Sequence, residues 1–468
     1  MKRWKKRTLG ALGVLLLLLI IAFTYVITTI GPVATGYTAK MVASGVFVMG
    51  QTPTEAWRDF PDNPIKSLLK FKINDEQKIV TASLAGFAKR KAFFREGYGV
   101  TLIPRKGKLT PLPEIPAPPK PENATALPWP VGEHVDLHAI PNEINPALLQ
   151  RAVENAFTET DPDNPKRTRA VVIVYRGRII AERYAPGYDR HTKFLGWSMT
   201  KSVINTLIGI LVQQKNLDIY EPAFVPEWQE PGDPRQAITV DQLLRMSSGL
   251  HFVEEYELQY GVTKMLYDTR NMAAFAASEK LIAEPDNVWY YSSGTANILS
   301  RLILHHLDNS LEKYHRFYRE KLFQPLNMRS VLFEPDATGV LVGSSFMFAT
   351  ARDWARFGQL YLQDGVWNGE RILPEGWVAY SVTPTPKAPQ GKYGAHFWLN
   401  AGQPRHSDNR EYPNLPDDLF YANGHDGQRV IIIPSYDLVI VRLGLSRNRN
   451  AWDLDELVAD VLKAIRKK

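Results

Sequence analysis

The chain has 468 residues, more than one minimal domain needs and enough for a large core with an accessory unit. It contains no cysteine, which excludes disulfides, zinc-thiolate sites and cysteine nucleophiles. The net charge is +7, but Lys2, Arg3, Lys5, Lys6 and Arg7 carry five positive charges and Lys463, Arg466, Lys467 and Lys468 four more. The rest of the chain is therefore slightly acidic, and no nucleic-acid footprint is expected.

Leu9 to Gly31, LGALGVLLLLLIIAFTYVITTIG, is uncharged and long enough as a helix to cross a bilayer core of about 30 Å. The basic residues before it place the amino terminus in the cytoplasm. Residues 1–35 thus read as a single-pass anchor in a bacterial-type inner membrane, with the remainder extracytoplasmic (periplasmic). A cleaved signal peptide is the alternative, because Ala34-Thr35-Gly36 is a small-x-small site, but the apolar run exceeds the usual length of such a core.

Residues 36–104 form a small accessory segment whose runs MVASGVFVMG, KIVTASLAGF and YGVTLIP read as strands. Its basic stretch AKRKAFFREGYG reads as a solvated strand edge rather than a ligand surface. Residues 105–133 are rich in proline and predict an extended, semi-rigid linker. Asn123-Ala-Thr within it matches a glycosylation sequon by pattern alone.

From residue 134 to 468 the pattern predicts one large domain. It opens with the helical NPALLQRAVENAF and a hairpin, RAVVIVYRGRIIAERYAP, turning at Arg176-Gly177. Helices dominate from Ser198 to about residue 380, and strands return at HFWLN, LFYANG, QRVIIIP and DLVIVRLG before a closing helix. Strands at both ends around a helical middle predict an α+β fold: one antiparallel sheet flanked by helices, with an inserted helical lobe and a cleft between them.

Ser-x-x-Lys occurs three times, at Ser67–Lys70, Ser198–Lys201 and Ser310–Lys313. Only Ser198 opens a long, nearly uncharged helix, the pattern of a helix buried on most sides. Residues three apart share a helical face, so Lys201 can reach the Ser198 hydroxyl. Burial and the positive helix end both disfavour an ammonium there, which makes the lysine available as a base for a serine nucleophile.

Four stretches in order, WSMTK at 197–201, ITVDQLLRMSSGL at 238–250, WYYSSG at 289–294 and NGHDGQRVIIIP at 423–434, resemble the serine β-lactamase and penicillin-recognising superfamily. The branch is the one holding class C β-lactamases, DD-peptidases, esterases and 6-aminohexanoate-dimer hydrolases, and the resemblance spans roughly residues 140 to 465. It implies Ser198 as nucleophile, Lys201 as its base and Tyr291 as a second proton shuttle. Backbone amides of Ser198 and Gln428 would form the oxyanion hole. Ser293 stands where the family has asparagine, and His425-Asp426-Gly427 where it has Lys-Thr-Gly, these four residues facing the substrate. The missing lysine and asparagine rank amidase or esterase action on a small or peptide-like substrate above DD-peptidase, and that above β-lactamase. A non-catalytic binding or sensor domain is the remaining alternative. No cofactor and no metal are expected: His305 and His306 are adjacent, not on one helical face. Ser407-Asp408-Asn409 reads as a solvated turn.

Overall fold

The computed structural model describes residues 2–116, 125–138, 140–256, 260–448 and 450–466; the Asn123 sequon, Lys467 and Lys468 lie outside them. The chain divides into two units, Met1–Leu109 with Val253–Arg270, and Thr110–Phe252 with Asn271–Lys468.

In the first unit a helix, Lys2–Tyr25, continues through one π turn into a second, Gly31–Phe47. Its aliphatic side chains from Leu9 to Ile21 are more than half exposed, and the helix is long and apolar enough to cross a membrane. The second helix carries MVASGVF, expected as a strand. Small residues decide otherwise: a Cβ at Gly36 would stand 2.1 Å from the Tyr267 carbonyl oxygen, and Ala39, Val42 and Ala43 are fully buried. That close packing favours a helix over the local strand pattern. Around it curls an antiparallel sheet, β1 (Leu69–Asn74), β2 (Ile79–Leu84), β3 (Phe87–Arg95) and β4 (Gly99–Ile103), in that order. The stretch read as a solvated edge is two-faced. Lys89 and Lys91 are exposed, but Arg90 turns inward, is 3 % exposed and pairs with Asp268 on the helix Gly261–Asp268. Val253–Arg270 joins this unit although the chain on both sides of it belongs to the other.

The second unit is built on β5 (Thr168–Tyr175) and β6 (Arg178–Tyr184), joined at Arg176-Gly177 as expected. Short strands β7 (Phe194–Leu195), β8 (Leu332–Phe333) and β9 (Met347–Ala349) make a three-stranded sheet, and β10 (Val366–Trp367) pairs with β11 (Glu370–Arg371). The strands β12 (Trp398–Leu399), β13 (Phe420–Gly424), β14 (Gln428–Ile433) and β15 (Leu438–Gly444) return from the far end of the chain. They complete a six-stranded antiparallel sheet, order β12-β13-β14-β15-β5-β6. Helices Pro146–Phe157 and Leu454–Ala464 pack on one face through Leu149, Val153, Leu457 and Val461. Helix Ala351–Leu362 covers β14 and β15 on the other, where Gly358 lets it approach: a Cβ there would lie 2.6 Å from Val439. The residues just before this domain, read as linker, are pinned to that helix, with Arg356 donating to the carbonyls of Pro130 and Gly132.

Candidate active site

Ser198 occupies the N-cap position of the helix Met199–Gln213, where a serine hydroxyl ordinarily accepts a bond from a first-turn amide. Here it makes no such cap. Its Oγ instead accepts from Lys201 Nζ at 2.9 Å. The contrast with Ser310 is direct: that hydroxyl caps its own helix by accepting from the Lys313 amide at 3.3 Å, while Lys313 pairs with Asp308. Ser67 sits exposed beside an exposed Lys70.

Two features aim the Ser198 hydroxyl. Trp197 just before it has φ +49°, a conformation a bulky side chain adopts only when its surroundings impose it, at a cost of about 1–3 kcal/mol. Gly196 allows Trp354 to pack behind the turn, since a Cβ there would lie 2.3 Å from the indole. Backbone strain of this kind clusters at functional positions, and the Ser198 side chain beside it is half-buried.

Lys201 is 1 % exposed. Beyond Ser198 its Nζ donates to Ser293 Oγ at 3.0 Å and to the Ser344 carbonyl at 3.2 Å, and it lies 4.7 Å from the centre of the Tyr291 ring. Ser293, expected to contact substrate, is 1 % exposed and serves the lysine instead. It starts the helix Ser293–His306, which Ser292 caps by accepting from the amides of Gly294 and Thr295. Tyr291 is half-buried against Tyr393 and Trp398. The 238–250 motif braces this loop: Tyr290 N–H donates to the Met246 carbonyl, and Ser247 Oγ to Asp286. Tyr290 itself is exposed.

The hairpin between β13 and β14 requires three corrections. Gly424 is what meets the nucleophile turn, since a Cβ on it would stand 2.2 Å from the Gly196 carbonyl oxygen. Gln428, expected to supply an oxyanion amide, lies across the hairpin from Gly424 on β14, an interior strand flanked by β13 and β15. Its side chain is spent on His425 O, Asp426 O and the Gly444 backbone. Asp426 does not face substrate either: its carboxylate is buried and bonded by Arg447 at 2.7 Å. Gly427, with φ +83°, clears room not for a ligand but for Arg442, whose Nη1 would lie 2.4 Å from a Cβ there. His425 alone of the three remains open, its side chain 40 % exposed, 3.3 Å from Asp426 and edge-on to Trp197.

The sequence did not point to Ser344 or to His396. Both lie far along the chain in short loops with no spacing relation to Ser198, and Ser344 offers only its carbonyl. His396 is buried with Nδ1 2.8 Å from the Lys201 carbonyl, so it donates there as a neutral imidazole. Burial pushes it down to about 3. Because the folded form binds its proton more weakly than the unfolded chain, stability falls as pH drops below about 6.5, by about 1.4 kcal/mol per unit for this one group. Thermal unfolding between pH 6.5 and 5 should therefore show a shallower pH slope in His396→Asn, a residue that tolerates the φ of +60° found at that position. An identical slope in both proteins would show that His396 contributes nothing to it.

Among the described residues no cluster of side chains could hold a metal ion. His305 stacks on Phe224 with ring centres 4.3 Å apart. Ser407 and Asn409 bond each other in an exposed loop.

An uncapped serine at a helix start, bonded to a buried lysine one turn on, thus sits beside β13 and β14 of an antiparallel sheet covered by helices, a framework of the β-lactamase type. The family model described as Beta-lactamase matches residues 157–462, and the chain belongs to that family. It is 24 % identical over 305 residues to the 6-aminohexanoate-dimer hydrolase of Paenarthrobacter ureafaciens, covering 59 % of this chain and 72 % of that one. In fold it is similar to a family VIII carboxylesterase (TM-score 0.52, 17 % identity, 69 % of this chain and 98 % of that one). It is also similar to a penicillin-binding protein homologue from Caulobacter crescentus (TM-score 0.50, 15 % identity, 69 % and 98 %).

Proposed function

We propose that the protein is a membrane-anchored serine hydrolase that cleaves a neutral amide or ester through an acyl-enzyme on Ser198. The observation that carries this reading is the 2.9 Å contact between an uncapped Ser198 hydroxyl and the buried Lys201. For reaction the amine is neutral: two N–H groups serve Ser293 and Ser344, and the contact with Ser198 reverses, its hydroxyl turning to donate to the Nζ lone pair. The Ser198 proton passes to Nζ as Oγ bonds the substrate carbonyl carbon and the carbonyl electrons move onto oxygen. The Tyr291 ring face next to Nζ favours the ammonium that results. Collapse expels the amine or alcohol, which takes a proton from the lysine, with the Tyr291 hydroxyl as the second shuttle. Water then releases the acyl group by the same steps in reverse. The oxyanion is held by the amide of Ser198 and, in place of Gln428, by that of His425, which follows the glycine touching the nucleophile turn.

Neutral substrates are preferred because the open side chain at the hairpin is an imidazole beside the Asp426 carboxylate and not a lysine. The neighbouring carboxylate offsets the attraction this side chain can offer a substrate carboxylate. The full-length exposed helix from Leu9 supports the anchor, with the catalytic unit extracytoplasmic. The test uses a matched pair of p-nitrophenyl esters, one neutral and one carrying a terminal carboxylate. A stoichiometric burst from the neutral ester, and a ratio of kcat/KM that moves toward the acidic ester as pH falls from 8.5 to 5.5 or on His425→Lys, are the expected results. Absence of any burst or turnover would overturn the hydrolase reading; a flat ratio in both proteins would remove His425 from substrate recognition.

A further inference from the structure

The first unit carries an unused surface. On the outward face of its sheet Lys70 and Lys72 on β1 alternate with buried or half-buried neighbours, as do Lys89 and Lys91 on β3, while a bulge with Ala88 at φ +46° turns Phe87 out of that row toward the helix. The order along β3 is directional. Phe87 is 52 % exposed at the tip of the β2–β3 hairpin, beside the equally bare Leu68, whose carbonyl accepts from the Ala85 amide. Lys89 and Lys91 follow about 7 and 13 Å further up the strand. The opposite end of the sheet carries the exposed Asp75 and Glu76, with Lys78 in the same turn.

The apolar tip is held against the bare helix. Phe87 packs edge-on to Phe23, ring centres 5.5 Å apart, and Tyr260, also half exposed, interacts with Tyr25 through their hydroxyls. Leu9 to Tyr25 spans about 25 Å as a helix. With a core of about 30 Å entered at Leu9, Phe23 and Tyr25 lie about 6–9 Å short of its far boundary, and Phe87 and Tyr260 touch the helix at that depth, with Leu68 next to the Phe87 hairpin. An aromatic collar at one level, with lysines one step above it and acids furthest away, is the arrangement an anionic bilayer surface selects.

We propose that this tip and the lysine face above it bind anionic phospholipid, with Phe87 and Leu68 at the acyl boundary and Lys70 and Lys89 at the phosphates. The proposal rests on the reading that the Leu9–Tyr25 helix crosses the membrane. It makes the accessory unit a lipid-seated platform rather than a spacer.

Because the chain has no cysteine, single cysteines can be labelled cleanly in the full-length protein. Phe87→Cys, Lys91→Cys and Asp75→Cys, each carrying an NBD fluorophore, are reconstituted into phosphatidylcholine vesicles with and without phosphatidylglycerol. Expected is quenching by doxyl lipid in the order 87, 91, 75, with the reverse order for aqueous iodide. Lys70→Glu with Lys89→Glu should lower doxyl quenching at 87 by about two-fold or more in the anionic vesicles and less in neutral ones. A label at 87 as open to iodide as that at 75, in vesicles that retain the chain through alkaline carbonate, would overturn the lipid-seating proposal while leaving the anchor intact. Release of the chain by carbonate would overturn both.

Discussion

Ser198→Ala is expected to lower hydrolysis of an activated ester by at least about 10³-fold, with the thermal midpoint nearly unchanged. The size follows from what the hydroxyl does: it caps nothing, so its removal costs the helix no bond, and it is held against Lys201 Nζ. A serine that served the fold would behave in the opposite way, losing stability and sparing turnover. Ser310, which caps its helix, is the internal comparison. Both variants can be read by thermal denaturation and initial rates on the same preparation.

The second large effect concerns Lys201. Lys201→Met keeps much of the side chain's volume but removes the donor shared by Ser198, Ser293 and the Ser344 carbonyl. Turnover should fall by about 10²–10⁴-fold through loss of the proton acceptor. Stability should fall as well, by about 1–3 kcal/mol, because buried oxygens lose their partner. Lys201→Arg separates charge from basicity: a guanidinium stays protonated and cannot accept the Ser198 proton. The arginine variant is therefore expected to be as inactive as the methionine one. Near wild-type kcat in the arginine variant would mean that the lysine acts only as a fixed positive charge.

The pairing of Ser198 with Lys201 is legible in the sequence. An uncharged helix behind Ser198, absent behind Ser67 and Ser310, separates one Ser-x-x-Lys from two decoys, and three-residue spacing already puts Ser198 and Lys201 on one face. The sheet built from both ends of the domain follows from continuous apolar runs such as VIIIP and LVIVRLG. What failed to show has physical reasons. MVASGVF looks like a strand by local pattern, yet its small residues are needed for close packing against Tyr267 and the sheet, a tertiary demand. The hairpin His425–Gly427 turns so tightly that Gly424 faces the nucleophile while Gln428 is carried into the ladder, and no spacing rule says which side of a turn approaches a distant helix. Asp426 and Gly427 are claimed by Arg447 and Arg442, arginines that read in sequence as ordinary strand and loop residues. The exchange of Val253–Arg270 into the first unit is sealed by Arg90 and Asp268, 178 positions apart.

The central claim is that Ser198 becomes covalently acylated. Intact-mass spectrometry of the full-length protein, followed by peptide mapping, tests it most directly after exposure to a fluorophosphonate and, separately, to a penicillin. The result predicted is one fluorophosphonate adduct per chain, located on the peptide containing Ser198, absent from Ser198→Ala, with no stable penicillin adduct. An adduct on any other residue, or one that persists in Ser198→Ala, would contradict the assignment of the nucleophile.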